Sequence, residues 1–204
     1  MRALTIIGAG GQGRLAAEIA QANSWGDISF LDPERRGHAG GWPIKGLPSE
    51  ANIVGADGMF FVGIEENDLR EAISQRLESF GIVPIALVHP TAHVSAQAVL
   101  GPGCLIGQAA LVGHQAQIGA GAVVGMGAAI EHDCRIQGYV HLGSGVRLAH
   151  GSVVGARAEV EIGAVICAGV SVGADAAIGP GSAVMDDVAA GARVIGVPAK
   201  PMEA

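Results

Sequence analysis

The sequence predicts a small α/β domain followed by a longer domain built from repeats of very short strands. Two observations support this division. A glycine-rich loop joins an apolar strand to a helix near the N-terminus, and an aliphatic residue recurs at every sixth position through the second half of the chain. Half of the 204 residues are hydrophobic, yet only 3% are aromatic and glycine occurs 33 times. This composition favours many short strands with tight turns over a helical bundle.

The N-terminal part of the chain alternates between strand-like and helix-like patterns. Apolar runs predict strands at residues 3–10, 28–32, 58–64 and 83–90. Amphipathic patterns predict helices at residues 14–23 and 67–81, the second of which opens with Asn67 as its cap and closes on Gly81. We therefore expect a small Rossmann-like α/β domain at residues 1–85, followed by a second domain at residues 86–204.

The glycine-rich loop "IIGAGGQG" fits the pattern G-x-G-x-x-G through Gly8, Gly10 and Gly13. Asp32 follows at the end of the second predicted strand. Glycines let a phosphate approach the backbone closely, and the N-terminus of a helix attracts negative charge. A domain of this size holds only one mononucleotide-binding half, which argues against NAD. The loop therefore predicts a nucleotide-containing ligand, with a plain tight turn as the alternative.

The second half of the chain follows a strict six-residue repeat. Val, Leu or Ile occupies all seventeen positions at this spacing from Val88 to Val184, and most are followed four residues later by Ala, Ser, Cys or Val. One repeat supplies one short strand and one turn. Three such sides close a triangular coil with the aliphatic side chains inside, so equivalent positions recur at every third repeat. The pattern therefore predicts a parallel β-helix of a little over five coils.

The segment "AIEHDCRIQGYVHLG" breaks the monotony of this repeat by placing charged residues on a corner. His132 is flanked by Glu131 and Asp133 in a region where charge is otherwise scarce. His114 and His150 occupy the same corner one coil before and one coil after, so the three histidines should form a ladder with a spacing of about 4.8 Å. An imidazole oriented by a carboxylate is the usual equipment of a general base. We therefore predict that His132 accepts a proton, with Glu131 or Asp133 orienting it.

The six-residue repeat and the closing "VIGVPAK" resemble the hexapeptide-repeat, left-handed parallel β-helix acyltransferases. More narrowly, "IEHDCRIQGYVHLG" resembles the active-site segment of bacterial sugar-nucleotide N-acetyltransferases, including those that act on the 4-amino group of UDP-linked amino sugars. It also resembles the related sialic acid O-acetyltransferases. The resemblance implies a left-handed β-helix, a homotrimer and acetyl-CoA as acetyl donor, with no metal.

The same resemblance implies a role for individual residues. His132 would be the catalytic base and Asp133 the residue that raises its basicity, while Glu131 also matches the motif. The implied contacts to acetyl-CoA are His141, Ile162, Gly179 and Pro180. The implied contacts to the nucleotide sugar are Gly10, Gly11, Gln12, Asp32 and Gly63.

The expected activity is transfer of acetyl from acetyl-CoA to an amino group of a nucleotide-linked sugar, such as a UDP-4-amino-4,6-dideoxy sugar. O-acetylation of sialic acid or another sugar is an alternative, and the nucleotide and sugar stay open. A second alternative is a zinc enzyme like the β-helix carbonic anhydrases, using His114 and His150. Such a site needs a further histidine soon after His150, which the sequence lacks. A non-catalytic trimerisation scaffold is the third alternative, and the charged corner argues against it.

Charge and composition exclude other classes of function. The chain has 12 basic and 19 acidic residues and no basic stripe, which argues against nucleic acid as a partner. No apolar run approaches the roughly 20 residues that span a bilayer, so we expect no membrane segment. Cys104, Cys134 and Cys167 are widely spaced without a CxxC motif, which suits a reducing cytoplasm. We therefore expect a cytoplasmic protein.

Overall fold

A computed structural model of the chain describes residues 3–50 and 58–202. The chain divides into two compact units, Met1–Pro90 and Thr91–Ala204. This boundary lies slightly beyond the one that the sequence predicts after residue 85. Neither of the two α-helices in the described ranges is long and apolar enough to cross a membrane.

The first unit is a five-stranded sheet with two helices. Its elements are β1 (Ala3–Ile7), α1 (Gly11–Ala22), β2 (Asp27–Leu31), β3 (His38–Ala39), β4 (Trp42–Gly46), a short 3-10 helix (Pro48–Glu50), β5 (Met59–Val62), α2 (Asn67–Ser79) and β6 (Leu87–Val88). The sheet order is β3-β4-β2-β1-β5, in which β1 runs parallel to both β2 and β5. A helix that joins two adjacent parallel strands is the Rossmann-type unit, which confirms the predicted fold class of this half.

Burial explains why these segments form strands and helices. Strands β1 and β2 are buried at four consecutive positions each, as in parallel sheets covered on both faces. On one face of this sheet, Leu77 of α2 packs into a cluster with Ile7, Leu31, Phe60 and Val62. The α/β unit therefore holds the carboxyl ends of β1, β2 and β5 side by side at one edge.

Several local predictions for this unit were wrong. Helix α1 begins at Gly11, three residues before the predicted start, because its first turn contains two glycines that carry no amphipathic signal. Asn67 is the first residue of α2 and not its cap; the capping position is Glu66, with extended backbone. The antiparallel pair β3–β4 was not predicted, and the last predicted strand shortens to Leu87–Val88.

The second unit is the predicted left-handed β-helix, with strands of two residues. In chain order they are β7 (His93–Val94), β8 (Val99–Leu100), β9 (Leu105–Ile106), β10 (Leu111–Val112), β11 (Gln117–Ile118), β12 (Val123–Val124), β13 (Ala129–Ile130), β14 (Arg135–Ile136), β15 (His141–Leu142), β16 (Arg147–Leu148), β17 (Val153–Val154), β18 (Glu159–Val160), β19 (Val165–Ile166), β20 (Ser171–Val172), β21 (Ala177–Ile178) and β22 (Ala183–Val184). From β7 to β19, each strand pairs in parallel with the third strand after it, as β10 does with β13 through Val112 and Ile130. The aliphatic residue ends every strand, and it is buried from Ile106 onwards.

The strands form three faces of a triangular coil. The first face is β7-β10-β13-β16-β19-β22 and the second is β8-β11-β14-β17-β20. The third runs β9-β12-β15-β18-β21 and is extended by β23 (Arg193–Ile195) and the antiparallel β24 (Lys200–Pro201). The corner between the first and second faces therefore lies opposite the third face.

Each corner turns through a residue with left-handed backbone conformation. Positive φ angles recur at every sixth residue from Gly103 to Gly181. Most of these residues are glycine, which adopts this conformation without steric cost, but Asp133 has φ of 60°. Asp is among the few other residues that tolerate it. The repeat therefore accepts an acid at this corner without a change in backbone path.

Candidate active site

The charged corner joins β13 to β14, between the first and second faces. No Asp, Glu, Lys or Arg occurs from Thr91 to Ile130, so the cluster at residues 131–133 is the first charge in the β-helix. The residues on either side, Ile130 and Cys134, are buried in the coil. Because the inward positions keep their apolar character, the three corner side chains project outward without disturbing the core.

His132 forms a close pair with Asp133. Its Nδ1 lies 2.8 Å from Oδ2 of the carboxylate, and the two side chains are 55% and 54% exposed. A carboxylate can only accept this hydrogen bond, so Nδ1 carries a proton and, in the neutral imidazole, Nε2 keeps the lone pair. The arrangement therefore presents a basic nitrogen to solvent, with a carboxylate that would stabilise the imidazolium.

The carboxylate of Glu131 contacts the next coil, so the acid that contacts the ring of His132 is Asp133. Its Oε2 accepts a hydrogen bond from the backbone N–H of His150 at 2.8 Å and lies 3.4 Å from Nδ1 of the same residue. Of the two acids that could orient His132, the structure thus selects Asp133. The sequence left this choice open.

The histidine ladder is present in the backbone and partly in the rings. The N–H of Asp133 donates to the carbonyl of His114, and that of Gly151 donates to the carbonyl of His132. The rings of His132 and His150 stack with centroids 5.1 Å apart and planes 10° from parallel. Among the described residues no ring stacking joins His114 to His132. The ladder therefore has one tight step.

A buried thiol supports the same corner from inside the coil. Sγ of Cys134 lies 3.2 Å from the carbonyl oxygen of Ala149 and 3.4 Å from Oγ of Ser152. Burial raises the pKa of the Cys134 thiol, so it stays protonated at neutral pH and donates a hydrogen bond. Cys134 is therefore a structural residue and not a nucleophile.

The residues predicted to contact acetyl-CoA lie elsewhere on the β-helix. His141 begins β15 on the third face, where it pairs with Val123 and Glu159. Ile162, which is 60% exposed, lies on the corner between the third and first faces. The Gly179–Pro180 turn occupies that corner one coil later, and the N–H of Gly181 donates to the carbonyl of Ile162. The structure thus places His141, Ile162 and the Gly179–Pro180 turn on or beside the third face, opposite the corner that carries His132.

In the first unit, three glycines at or near the loop are required by packing. Gly8 has φ of 95°. A Cβ on Gly13 would collide with the carbonyl oxygen of Gly8, and one on Gly63 would lie 2.5 Å from Cα of Gly13. These three glycines let the start of α1 pack against the ends of β1 and β5. Gly8 and Gly13, the two of these glycines that belong to the motif, are therefore explained by a tight turn between β1 and α1.

Gly10 and Gly11 are different, because the fold does not need them. Neither has a positive φ, and a Cβ on either would meet no atom within 4 Å. Gly10 is the N-cap of α1 and makes no side-chain capping bond. The backbone at the start of α1 is therefore not covered by neighbouring atoms at the positions where side chains of Gly10 and Gly11 would stand.

Asp32 fixes the loop beside this space. Its carboxylate accepts backbone N–H bonds from Ala9 at 2.8 Å, Glu34 at 3.0 Å and Arg35 at 2.8 Å. Burial alone would raise the pKa of Asp32, but the three N–H donors and the charge of Arg35 lower it more, so the net shift is downward. Asp32 is therefore ionised at neutral pH and ties the glycine loop to the turn after β2.

All five residues predicted to bind the nucleotide sugar line one crevice of about 330 Å³. They are Gly10, Gly11, Gln12, Asp32 and Gly63. The amide nitrogen of Gln12 is buried without a hydrogen-bond partner among the described residues. An unpaired buried donor is costly, so this amide is suited to pair with a ligand.

Comparison with known proteins agrees with these features. The PglD N-terminal domain family matches residues 3–77. The acetyltransferase domain of PglB from Neisseria gonorrhoeae is 30% identical over 99% of this chain and 100% of that one, with a TM-score of 0.96. This chain belongs to the left-handed β-helix sugar-nucleotide acetyltransferase family.

Two further relatives show what members of the family bind or make. PerB from Caulobacter crescentus, solved with CoA and GDP-perosamine, is 31% identical over 100% of this chain and 98% of that one, with a TM-score of 0.95. UDP-N-acetylbacillosamine N-acetyltransferase from Bacillus subtilis is 32% identical over 112 residues, or 52% of this chain. That match spans 51% of the Bacillus enzyme, about half its length.

Other crevice residues of this family member were missed from the sequence. Glu34 and Arg35 follow β2, and Glu65 and Glu66 follow β5. Their signal was their place directly after apolar strands, since parallel sheets bind ligands at the carboxyl ends of their strands. The contacts of His150 with Glu131 and with the ring of His132 were also missed, although the repeat already placed His150 one coil from His132.

The zinc alternative gains no support from side-chain geometry. Within residues 3–50 and 58–202, no group of three or more His, Cys, Asp or Glu side chains is arranged to hold a metal ion. His150 is instead engaged by Glu131 and by the ring of His132.

Proposed function

We propose that this protein transfers an acetyl group from acetyl-CoA to an amino group of a nucleotide-linked sugar, with His132 as general base. The pair between His132 Nδ1 and the Asp133 carboxylate, 2.8 Å apart on an exposed corner, is the observation that supports this most. It is a proton acceptor in the right tautomer, in the family whose members include amino-sugar acetyltransferases.

The reaction needs a group that accepts the proton of the amine and a second group that stabilises the positive charge created on the first. The sugar amine attacks the acetyl carbonyl carbon of the thioester, and Nε2 of His132 takes the proton that the nitrogen loses. Asp133 stabilises the imidazolium that forms. The tetrahedral intermediate then collapses, the C–S bond breaks, and the leaving thiolate of CoA takes a proton from the imidazolium. His132 thus returns to its starting state after each cycle.

The crevice of the first unit is the proposed site for the nucleotide sugar. Gly10 and Gly11 leave the N-terminus of α1 open to a phosphate, as helix dipoles favour. Gln12 offers an unpaired amide, Gly63 lines the crevice, and Asp32 holds the loop in shape. The nucleotide and the sugar are left open by these contacts.

We further propose that the active site forms between copies in a homotrimer. His132 lies on the corner opposite the third face, which carries His141, with Ile162, Gly179 and Pro180 at its edge. One chain cannot bring His141 to His132 across its own packed interior. A neighbouring copy can place its third face against this corner.

All three cysteines are free thiols, which supports the proposed cytoplasmic location.

An acetyl-transfer assay over a panel of acceptors tests the proposal. The panel contains UDP-, GDP- and dTDP-linked amino sugars and free sialic acid, with products identified by mass spectrometry. We expect a mass gain of one acetyl group on an amino sugar, stable to mild base as an amide is. Transfer only to sialic acid, giving a base-labile ester, would favour the O-acetyltransferase alternative.

A further inference from the structure

The stacked pair of histidines at the catalytic corner has features that the proposed base alone does not explain. His150 lies one coil beyond His132 and its ring covers that of His132, with centroids 5.1 Å apart and planes 10° from parallel. Both side chains are more than half exposed, so no packed core holds them in this arrangement. Local contacts must do so.

Each histidine has a carboxylate near its Nδ1, so the two histidine–acid pairs are arranged in the same way. Asp133 binds Nδ1 of His132, and Glu131 lies 3.4 Å from Nδ1 of His150. The same Glu131 oxygen accepts the backbone N–H of His150 at 2.8 Å. Glu131 is thereby fixed to the coil that carries His150, and the ring of His150 is fixed to Glu131.

We infer that His150 is a positioning residue for His132, held in place by Glu131. This inference rests on the proposed function of His132. A half-exposed histidine samples several rotamers in water, and only one directs Nε2 towards a substrate. The ring of His150 occupies the space one coil above and restricts the imidazole of His132 to the stacked orientation. Asp133 fixes the tautomer, and His150 fixes the plane.

The charged motif thus combines two separate roles. Glu131 acts on His150 and not on the base directly, because its carboxylate contacts the neighbouring coil. His150 needs a flat ring but no ionisable nitrogen to restrict the imidazole beside it. A phenylalanine in its place should therefore retain most of the effect, whereas an alanine should not.

Steady-state kinetics of three variants test this in the full-length protein. His150→Ala should lower kcat about 3- to 10-fold, the scale of one aromatic stacking contact, with KM for both substrates nearly unchanged. His150→Phe should recover most of the loss. His114→Ala, on the same corner one coil before, is the matched control and should stay close to wild type. Unchanged kcat in His150→Ala, or no recovery in His150→Phe, would overturn the inference.

A double-mutant cycle shows whether Glu131 works through His150. If it does, Glu131→Ala/His150→Ala should lose no more activity than His150→Ala alone. Losses that multiply would mean that Glu131 has a separate role, contrary to the inference.

NMR on histidine-labelled protein tests the same geometry without turnover. The ring protons of His132 should carry a ring-current shift that disappears in His150→Ala and persists in His150→Phe. Identical His132 signals in wild type and His150→Ala would refute the positioning role, even if no acceptor were turned over. Failure of wild type to acetylate any acceptor would instead refute the proposed function, so the two failures are distinguishable.

Discussion

Removal of the imidazole at position 132 should abolish most turnover while leaving the fold intact. The His132 side chain is 55% exposed and its partner 54%, so His132→Ala deletes little buried area. A positioned general base contributes about 100- to 10,000-fold to rate. We therefore expect kcat to fall by roughly that factor, with an unchanged melting temperature and an unchanged KM for acetyl-CoA.

Substitution of the orienting acid should cost much less. Asp133→Asn is the suitable variant, because Asn, like Asp, tolerates the left-handed φ of 60° that Ala would adopt only with strain. An exposed ion pair is worth at most about 1 kcal/mol, which corresponds to roughly a fivefold loss of kcat. Without the carboxylate, His132 can still accept a proton, but the proton of its neutral ring can then lie on either nitrogen.

The assay is saturation kinetics with each reactant varied in turn, and the folding control is thermal unfolding of every variant. The expected order of kcat is wild type, then Asp133→Asn, then His132→Ala. If His132→Ala retained more than a third of wild-type kcat at saturating substrate, the base would be another group. Equal loss in both variants would contradict the modest orienting contribution assigned to Asp133.

The glycine loop, the buried acid and the shared site each give a further test. Gly10→Ala should fold normally and raise KM for the nucleotide sugar, whereas Gly13→Ala should unfold the first unit because its Cβ collides with the loop; calorimetry and kinetics separate the two. The folded pKa of Asp32 lies below its usual 3.8, so the stability that it contributes is present above that pH and is lost as pH falls through the folded pKa. In thermal unfolding, Asp32→Asn should therefore lose less stability on acidification than wild type. Co-expressed His132→Ala and His141→Ala chains should recover about a quarter of wild-type activity if random trimers place the two histidines of each site on different copies, and no recovery would contradict a shared site.

The β-helix was predictable because its signal is redundant. Each coil repeats the same instruction, an aliphatic residue at the end of every strand and a small residue four positions later. One irregular position cannot shift the register while its neighbours in the adjacent coils maintain it. The corner address of His132 followed from that register, and so did the stacking distance to His150, at 5.1 Å against about 4.8 Å expected.

The α/β unit was less predictable because its signals occur only once. The first turn of α1 contains Gly11 and Gly13, which carry no amphipathic signal. The paired strands β3 (His38–Ala39) and β4 (Trp42–Gly46) have too few residues to show an alternation of apolar and polar side chains. Which acid orients His132 could not be read from adjacency, since Glu131 and Asp133 are both next to it. That choice depends on backbone conformation: the left-handed Asp133 lies beside the imidazole, and Glu131 reaches along the coil axis.

The β-helix explains how a cluster of charged residues can occupy a corner without disturbing the core. The inward positions that hold the coil together, Ile130 and Cys134, flank the corner and stay buried, so residues 131–133 can change without disturbing the core. Each corner residue has its nearest neighbours one coil away on either side, in a register fixed by backbone hydrogen bonds. A base therefore needs only a favourable residue at the equivalent position of the next coil to gain support for its ring. His150 is such a residue by its stacking on His132, so the proposed catalytic unit would be a pair of adjacent coils and not a single motif.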